Sequence, residues 1–98
     1  MSVNCTNEDG KIVCRFLSKK MDFVTAKDCE NLVLNSIKDA DSLIFDLTDV
    51  EYISSSFLRL CLISSKEMKG KMSIINVAKS VFNVFKLAGM IKILNITT

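Results

Sequence analysis

The run Ser42-Leu43-Ile44-Phe45-Asp46-Leu47 narrows the available folds more than any other segment of the chain. It is apolar almost throughout and closes on a carboxylate, the pattern of a strand covered on both faces, and such strands belong to parallel sheets. Segments of helical period flank it. Upstream, Cys29, Leu32, Val33 and Ile37 recur on one stripe. Downstream, Phe57, Leu58, Leu60, Cys61, Leu62 and Ile63 are followed by the polar stop Lys66, Glu67, Lys69 and Gly70. A buried strand between two helices implies right-handed crossovers and a mostly parallel sheet.

The rest of the chain extends this alternation. Val3 and Cys5 alternate with polar neighbours up to the Glu8-Asp9-Gly10 turn, which leads into the β-branched and aromatic stretch Ile12–Leu17 as a hairpin. Ser18 to Asp22 is a polar connection. Thr25 is the expected N-cap of the first helix, with Asp28 three residues on, and that helix is expected to end near Lys38 to Ala40. The second helix is expected to start at Ser55 or Ser56. Met72, Ile74, Ile75 and Val77 form the next strand. Val81, Val84, Phe85 and Ala88 follow at helical spacing with Gly89 as C′ residue, and Ile91–Ile96 alternates as a final strand. The expected order is β-β-α-β-α-β-α-β, an α/β fold with a mixed, mostly parallel sheet and helices packed mainly on one face.

At 98 residues, residues 1–98 are expected to form a single domain that buries roughly 60 to 65% of its unfolded surface. The chain has no histidine, proline or tryptophan. Lack of histidine removes the side chain most used as general base, triad partner and catalytic zinc ligand, so no enzyme, catalytic residue, metal or cofactor is expected. With glycine only at positions 10, 70 and 89 there is no phosphate-binding glycine motif. Asp22, Asp46 and Asp49 form an acidic set that reads as strand-end carboxylates and caps ahead of a magnesium site. A net charge of +2 with scattered lysines points to a solvated face, with no direct nucleic-acid binding. No apolar run approaches the length of a membrane span, and the start MSVNCTNEDGK lacks a signal-peptide core, so a cytoplasmic location is expected. Cys5, Cys14, Cys29 and Cys61 show no metal-ligand spacing and read as small, free hydrophobes.

In an open parallel sheet, ligands and partners meet the loops at the carboxyl ends of strands. Two segments are expected there, Ser18 to Thr25 and Asp46 to Ser56. The second carries Ser54-Ser55-Ser56 directly before a helix. Serines at that place cap amides, and a phosphate added to one would be held by the same amides and the helix dipole.

These residues resemble a known family. The run Leu43-Ile44-Phe45-Asp46-Leu47-Thr48-Asp49-Val50-Glu51-Tyr52-Ile53-Ser54-Ser55-Ser56-Phe57-Leu58 is similar to the STAS domain of bacterial anti-sigma factor antagonists. So are Met72-Ser73-Ile74-Ile75-Asn76-Val77, Val84-Phe85-Lys86-Leu87-Ala88-Gly89-Met90 and the upstream Met21-Asp22-Phe23-Val24-Thr25-Ala26. The likeness runs from about Gly10 to Ile96. It implies a cytoplasmic, bacterial regulator of transcription that binds an anti-sigma factor with serine kinase activity. The unphosphorylated form binds that partner, and a phosphatase resets the phosphorylated one. By position the phosphoacceptor corresponds to Ser55, and the implied partner-binding patch comprises Asp22, Ser54, Ser55, Ser56, Phe57, Leu58 and Arg59. Three positions depart from the family pattern. Ser54 stands where the family has aspartate, Phe57 where it has glycine, and Arg59 fills a second small position. Phe57 is thus expected to add apolar bulk to the surface that a partner approaches. The chain ends at Thr98, so the terminal helix of many members is expected to be missing. The alternative implied by the same likeness is a non-phosphorylated interaction module, a scaffold or transporter-associated subunit, in which the serines only cap the helix.

Overall fold

Asp9 and Gly10 both take positive φ, 57° and 89°. Two such residues in succession form the tight turn whose twist suits a hairpin, and they join β1 (Val3–Glu8) to β2 (Lys11–Phe16) in antiparallel register. A Cβ at Gly10 would also lie 2.3 Å from Oδ2 of exposed Asp41, whose carboxylate would have to turn aside. In this computed structural model, which describes residues 2–98, the hairpin is one edge of a five-stranded sheet of order β1-β2-β4-β6-β7. β4 (Ser42–Asp46), β6 (Met72–Ile75) and β7 (Asn95–Ile96) run parallel to β2. The central β4 is the segment singled out from the sequence.

Three helices among the described residues make the crossovers: α1 (Phe23–Ser36), α2 (Ser55–Glu67) and α3 (Lys79–Leu87). Asp22, and not Thr25, is the N-cap of α1, and its Oδ1 accepts the Thr25 amide at 2.9 Å. Aspartate in extended backbone is among the best caps, and Thr25 falls at the third helical position, where it supplies the amide that is capped. α3 closes as expected at Gly89 (φ 75°), with the Met90 amide donating to the Phe85 carbonyl and the Gly89 amide to Lys86. That closure also shortens the last strand. The Ile93 and Leu94 amides turn back to the Met90 carbonyl, so residues 91–94 form turns and β7 keeps two residues.

Burial alternates along β2, β4 and β6, with Ile12, Cys14, Phe16, Leu43, Phe45, Met72 and Ile74 inside and Val13, Ile44, Ser73 and Ile75 only partly covered. The run expected to be covered on both faces is therefore covered fully on one. Three short helices supply enough surface for one face of a five-stranded sheet. At the centre of the core Phe16, Phe45 and Phe57 form an aromatic cluster, with Phe16 meeting Phe45 at 4.9 Å and Phe57 at 5.0 Å edge to face. No helix among the described residues is long and apolar enough to cross a membrane.

Candidate functional site

Two strands too short to be read from the sequence organise the loops beyond the carboxyl ends of the main sheet. β3 (Lys20–Met21) and β5 (Tyr52–Ile53) pair in parallel, Lys20 beside Tyr52 and Met21 beside Ile53. The Lys19 carbonyl accepts the amides of Glu51 and Tyr52, and the Met21 carbonyl accepts that of Ser54 at 3.0 Å. Met21 and Ile53 are buried and anchor the pair from below. The next residue on each strand, Asp22 and Ser54, is the N-cap of a helix. The bridge thus brings the first turns of α1 and α2 to adjacent positions, and with them the amide-rich, partly positive ends of two helix dipoles.

Ser54 Oγ accepts the Phe57 amide at 3.3 Å, so this hydroxyl is used as a cap. Ser55, the first residue of α2, is exposed, and Ser56 is half-buried. The amides of Ser55 and Ser56 lie in the first turn, where helix geometry provides no intrahelical acceptor. Asp22 is held below the usual carboxylate range by the Thr25 amide and then by the Thr25 hydroxyl, so it is anionic at neutral pH. Leu58 is partly buried against the core. Arg59 is exposed and lies 3.6 Å from Glu30 of α1, a weak surface ion pair between the two helices.

Phe57 does not reach this surface. It has no exposed area and packs with Phe16 and Phe45, which corrects the expectation that it adds apolar bulk to a partner-facing patch. It shares the inward stripe of α2 with Leu60, Cys61 and Ser64, a spacing that turns all four towards the sheet. The apolar surface at the site comes from residues that sequence reasoning passed over: Phe23 (61% exposed), Val24 (63%) and Tyr52 (52%). The signal for the first two turned on the cap: with Asp22 as N-cap, Phe23 and Val24 fall in the first helical turn, off the inward stripe of Ala26, Cys29 and Val33.

The loop that leads to the serines is braced by acidic residues. Asp46, at the end of β4, accepts hydrogen bonds at Oδ1 from the Thr48 amide, the Thr48 hydroxyl and Asn76 Nδ2. Partial burial pushes its carboxyl up, but the bonds from Thr48 and Asn76 outweigh this and hold it below the usual value. Asp49 pairs with Arg15 of β2 at 3.1 Å. Asp22, Asp46 and Asp49 are therefore each engaged with a different partner, as a cap, a loop brace and an ion pair.

The family model described as STAS domain matches residues 6–98. No curated protein sequence matches the chain. Similar solved structures include an anti-sigma-factor antagonist (STAS) domain protein from Planctomyces limnophilus, with TM-score 0.88 and 18% identity over 98% of this chain and 90% of that one. An anti-sigma factor antagonist from Mycobacterium paratuberculosis gives TM-score 0.84 and 21% identity over 96% and 82%. The Bacillus cell fate determinant SpoIIAA in its phosphorylated form gives TM-score 0.74 and 16% identity over 98% and 91%. At these identities the structural likeness speaks for the fold, including the mixed, mostly parallel sheet.

Proposed function

Because this chain belongs to the STAS domain family, we propose that it acts as an anti-sigma factor antagonist: it binds an anti-sigma factor with serine kinase activity and is switched off by phosphorylation of Ser55. A phosphatase restores the binding form. The observation that carries this reading is the division of labour between adjacent serines. Ser54 is occupied as the cap while Ser55 presents an exposed hydroxyl on the first turn of α2. A phosphate there would find the free amides and the dipole of α2, an arrangement worth about 0.3–1 kcal/mol at an exposed helix end. It would also bring a charge of about −1.5 to −2 beside anionic Asp22 and the apolar trio Phe23, Val24 and Tyr52. Such a change alters the docking face without moving the fold. In this reading the partner meets Asp22, Ser55, Arg59 and the apolar trio, with Ser54, Ser56 and Leu58 at the rim and Phe57 supporting them from the core.

The departures from the family pattern are compatible with this role. Serine and aspartate cap helices about equally well, so Ser54 keeps the helix start while deleting one negative charge. Phe57 supplies core in place of a glycine. A second reading, an interaction module that is never phosphorylated, is favoured by the engagement of Ser54 as a structural cap. Incubation with a candidate anti-sigma kinase and ATP separates the two. A single phosphate on Ser55, lost in Ser55→Ala, together with binding weakened about tenfold or more by Ser55→Asp, supports the switch. Tight binding that persists in Ser55→Asp with no phosphate on the wild type establishes the module, and a phosphate mapped to Ser56 moves the acceptor by one residue.

A further inference from the structure

Midway along the hairpin, Cys5 of β1 and Cys14 of β2 are direct cross-strand partners. Their Sγ atoms are 2.8 Å apart, and both are free thiols. The register decides what this contact can become. The Leu17 amide donates to the Ser2 carbonyl, which makes Ser2 and Leu17 a hydrogen-bonded pair. Counting inward, Val3 with Phe16 is non-hydrogen-bonded, Asn4 with Arg15 hydrogen-bonded, and Cys5 with Cys14 non-hydrogen-bonded. Opposed residues of that kind have Cα atoms about 4.5 Å apart and the closer side chains, within the roughly 4.4–6.8 Å that a disulfide spans. Bringing the two sulfurs to a bond length of about 2.05 Å takes a shift of under about 1 Å.

We infer that Cys5 and Cys14 form a redox-reversible pair, which a hydroperoxide converts to a cross-strand disulfide at the edge of the sheet. The site is asymmetric in the way a two-step oxidation requires. Cys5 is half-buried on the edge strand, beside a hollow of about 210 Å³ lined by Cys5, Thr6, Asn7, Ile12 and Ser36, which a small oxidant can enter. Cys14 is fully buried behind it. The hydrogen bond with Cys14, against the opposing effect of burial and with help from the Ser36 hydroxyl, lowers the Cys5 thiol to about 7, while the same bond and burial push Cys14 up. Its place at the hollow makes Cys5 the sulfur that attacks, and Cys14, buried behind it, the one that resolves.

In the first step the Cys5 sulfur bonds to an oxygen of the peroxide and the O–O bond breaks. The departing oxygen takes a proton, leaving Cys5 as a sulfenic acid. The Cys14 sulfur then attacks the Cys5 sulfur, the S–O bond breaks, and the hydroxyl leaves as water with the Cys14 proton. Two thiols have lost two protons and two electrons, and hydrogen peroxide has become two waters. A dithiol reverses the change. Nothing in this site depends on the serine loop or on the function proposed for it.

Intact mass and peptide mapping of the full chain after brief treatment with hydrogen peroxide test the pair. The expected result is a loss of about 2 Da and a fall in alkylatable thiols, measured after denaturation, from the four of the sequence by one pair. Trypsin cuts after Lys11 and Arg15, so the two cysteines lie on separate peptides that stay joined only through the disulfide and part with dithiothreitol. Cys5→Ser and Cys14→Ser each abolish the joined peptide, and Cys29→Ser keeps it. Because the wild-type map alone locates the bond, an unstable variant does not blunt the test. A bond from Cys14 to Cys29, a covalent dimer, oxygen added to Cys5 with no joined peptide, or an unchanged thiol count overturns the proposal.

Discussion

Phe57 lies at the point where a surface loop becomes core. It is the third residue of α2, three positions after its cap, and its ring meets Phe16 at right angles with centroids 5.0 Å apart. The start of the helix is thereby fixed by both ends of one short segment, the Ser54 hydroxyl outside and the Phe57 ring inside. Truncation removes the inner anchor and leaves a cavity between two other phenylalanines. Phe57→Ala is expected to cost about 3–5 kcal/mol, read as a lower urea midpoint with an unchanged slope. The direction of this side chain was not legible in the sequence. Phe57, Leu58, Leu60, Cys61, Leu62 and Ile63 place apolar residues on several sides of the helix, and the choice of inward stripe is made by the register of α2 against the sheet. The role of Asp22 was hidden by a different ambiguity. Asp22 and Thr25 are both good caps three residues apart, and the β3–β5 bridge, which ends at Met21, decides between them.

Among the elements, the hairpin, three helices and central strands were legible because each carries several periods of a clear pattern. Hydrophobic alternation fixes β2 and β4, and helical stripes fix α1, α2 and α3. β3 and β5 have two residues each, too few for any period, and exist because their partners hold them. Yet they set the geometry of the candidate site by aligning two helix starts. The caps at those starts have testable weight. Ser54→Ala is expected to lose about 1 kcal/mol and Ser54→Asp to lose nothing or gain slightly. Thermal unfolding followed by circular dichroism would register the alanine variant as a fall of roughly 4–8 °C, given the size of the domain. An equal fall in the aspartate variant would mean that the hydroxyl does something other than cap.

For the whole molecule, the order of the main-sheet strands and the helices and the mixed sheet could be read in advance, whereas the coverage of β4 could not. A strand of Leu43, Ile44 and Phe45 looks the same whether one face or both are packed, and Ile44 is only partly covered. What ties the carboxyl edge of the sheet together is Asp46, which joins the loop after β4 to Asn76 after β6. Its carboxyl titrates below the ordinary value of 3.8 in the fold. A depressed carboxylate contributes stability above its unfolded pKa, and that contribution is lost as pH falls through the folded one. Asp46→Asn is therefore expected to be less stable than wild type at neutral pH, with the gap closing well below pH 3.8. Urea titrations at both ends of that range check it, and a gap independent of pH would assign the loss to packing.

The smallness of the β3–β5 bridge has a dynamic consequence. A cooperative unit held by a few backbone hydrogen bonds opens at a free energy well below that of global unfolding. The five-stranded sheet, with β4 hydrogen-bonded on both sides, need not break when the two loops part. Fraying at the start of α2 can thus take in Ser55 and Ser56, stops at the buried ring of Phe57, and leaves the rest of the fold intact.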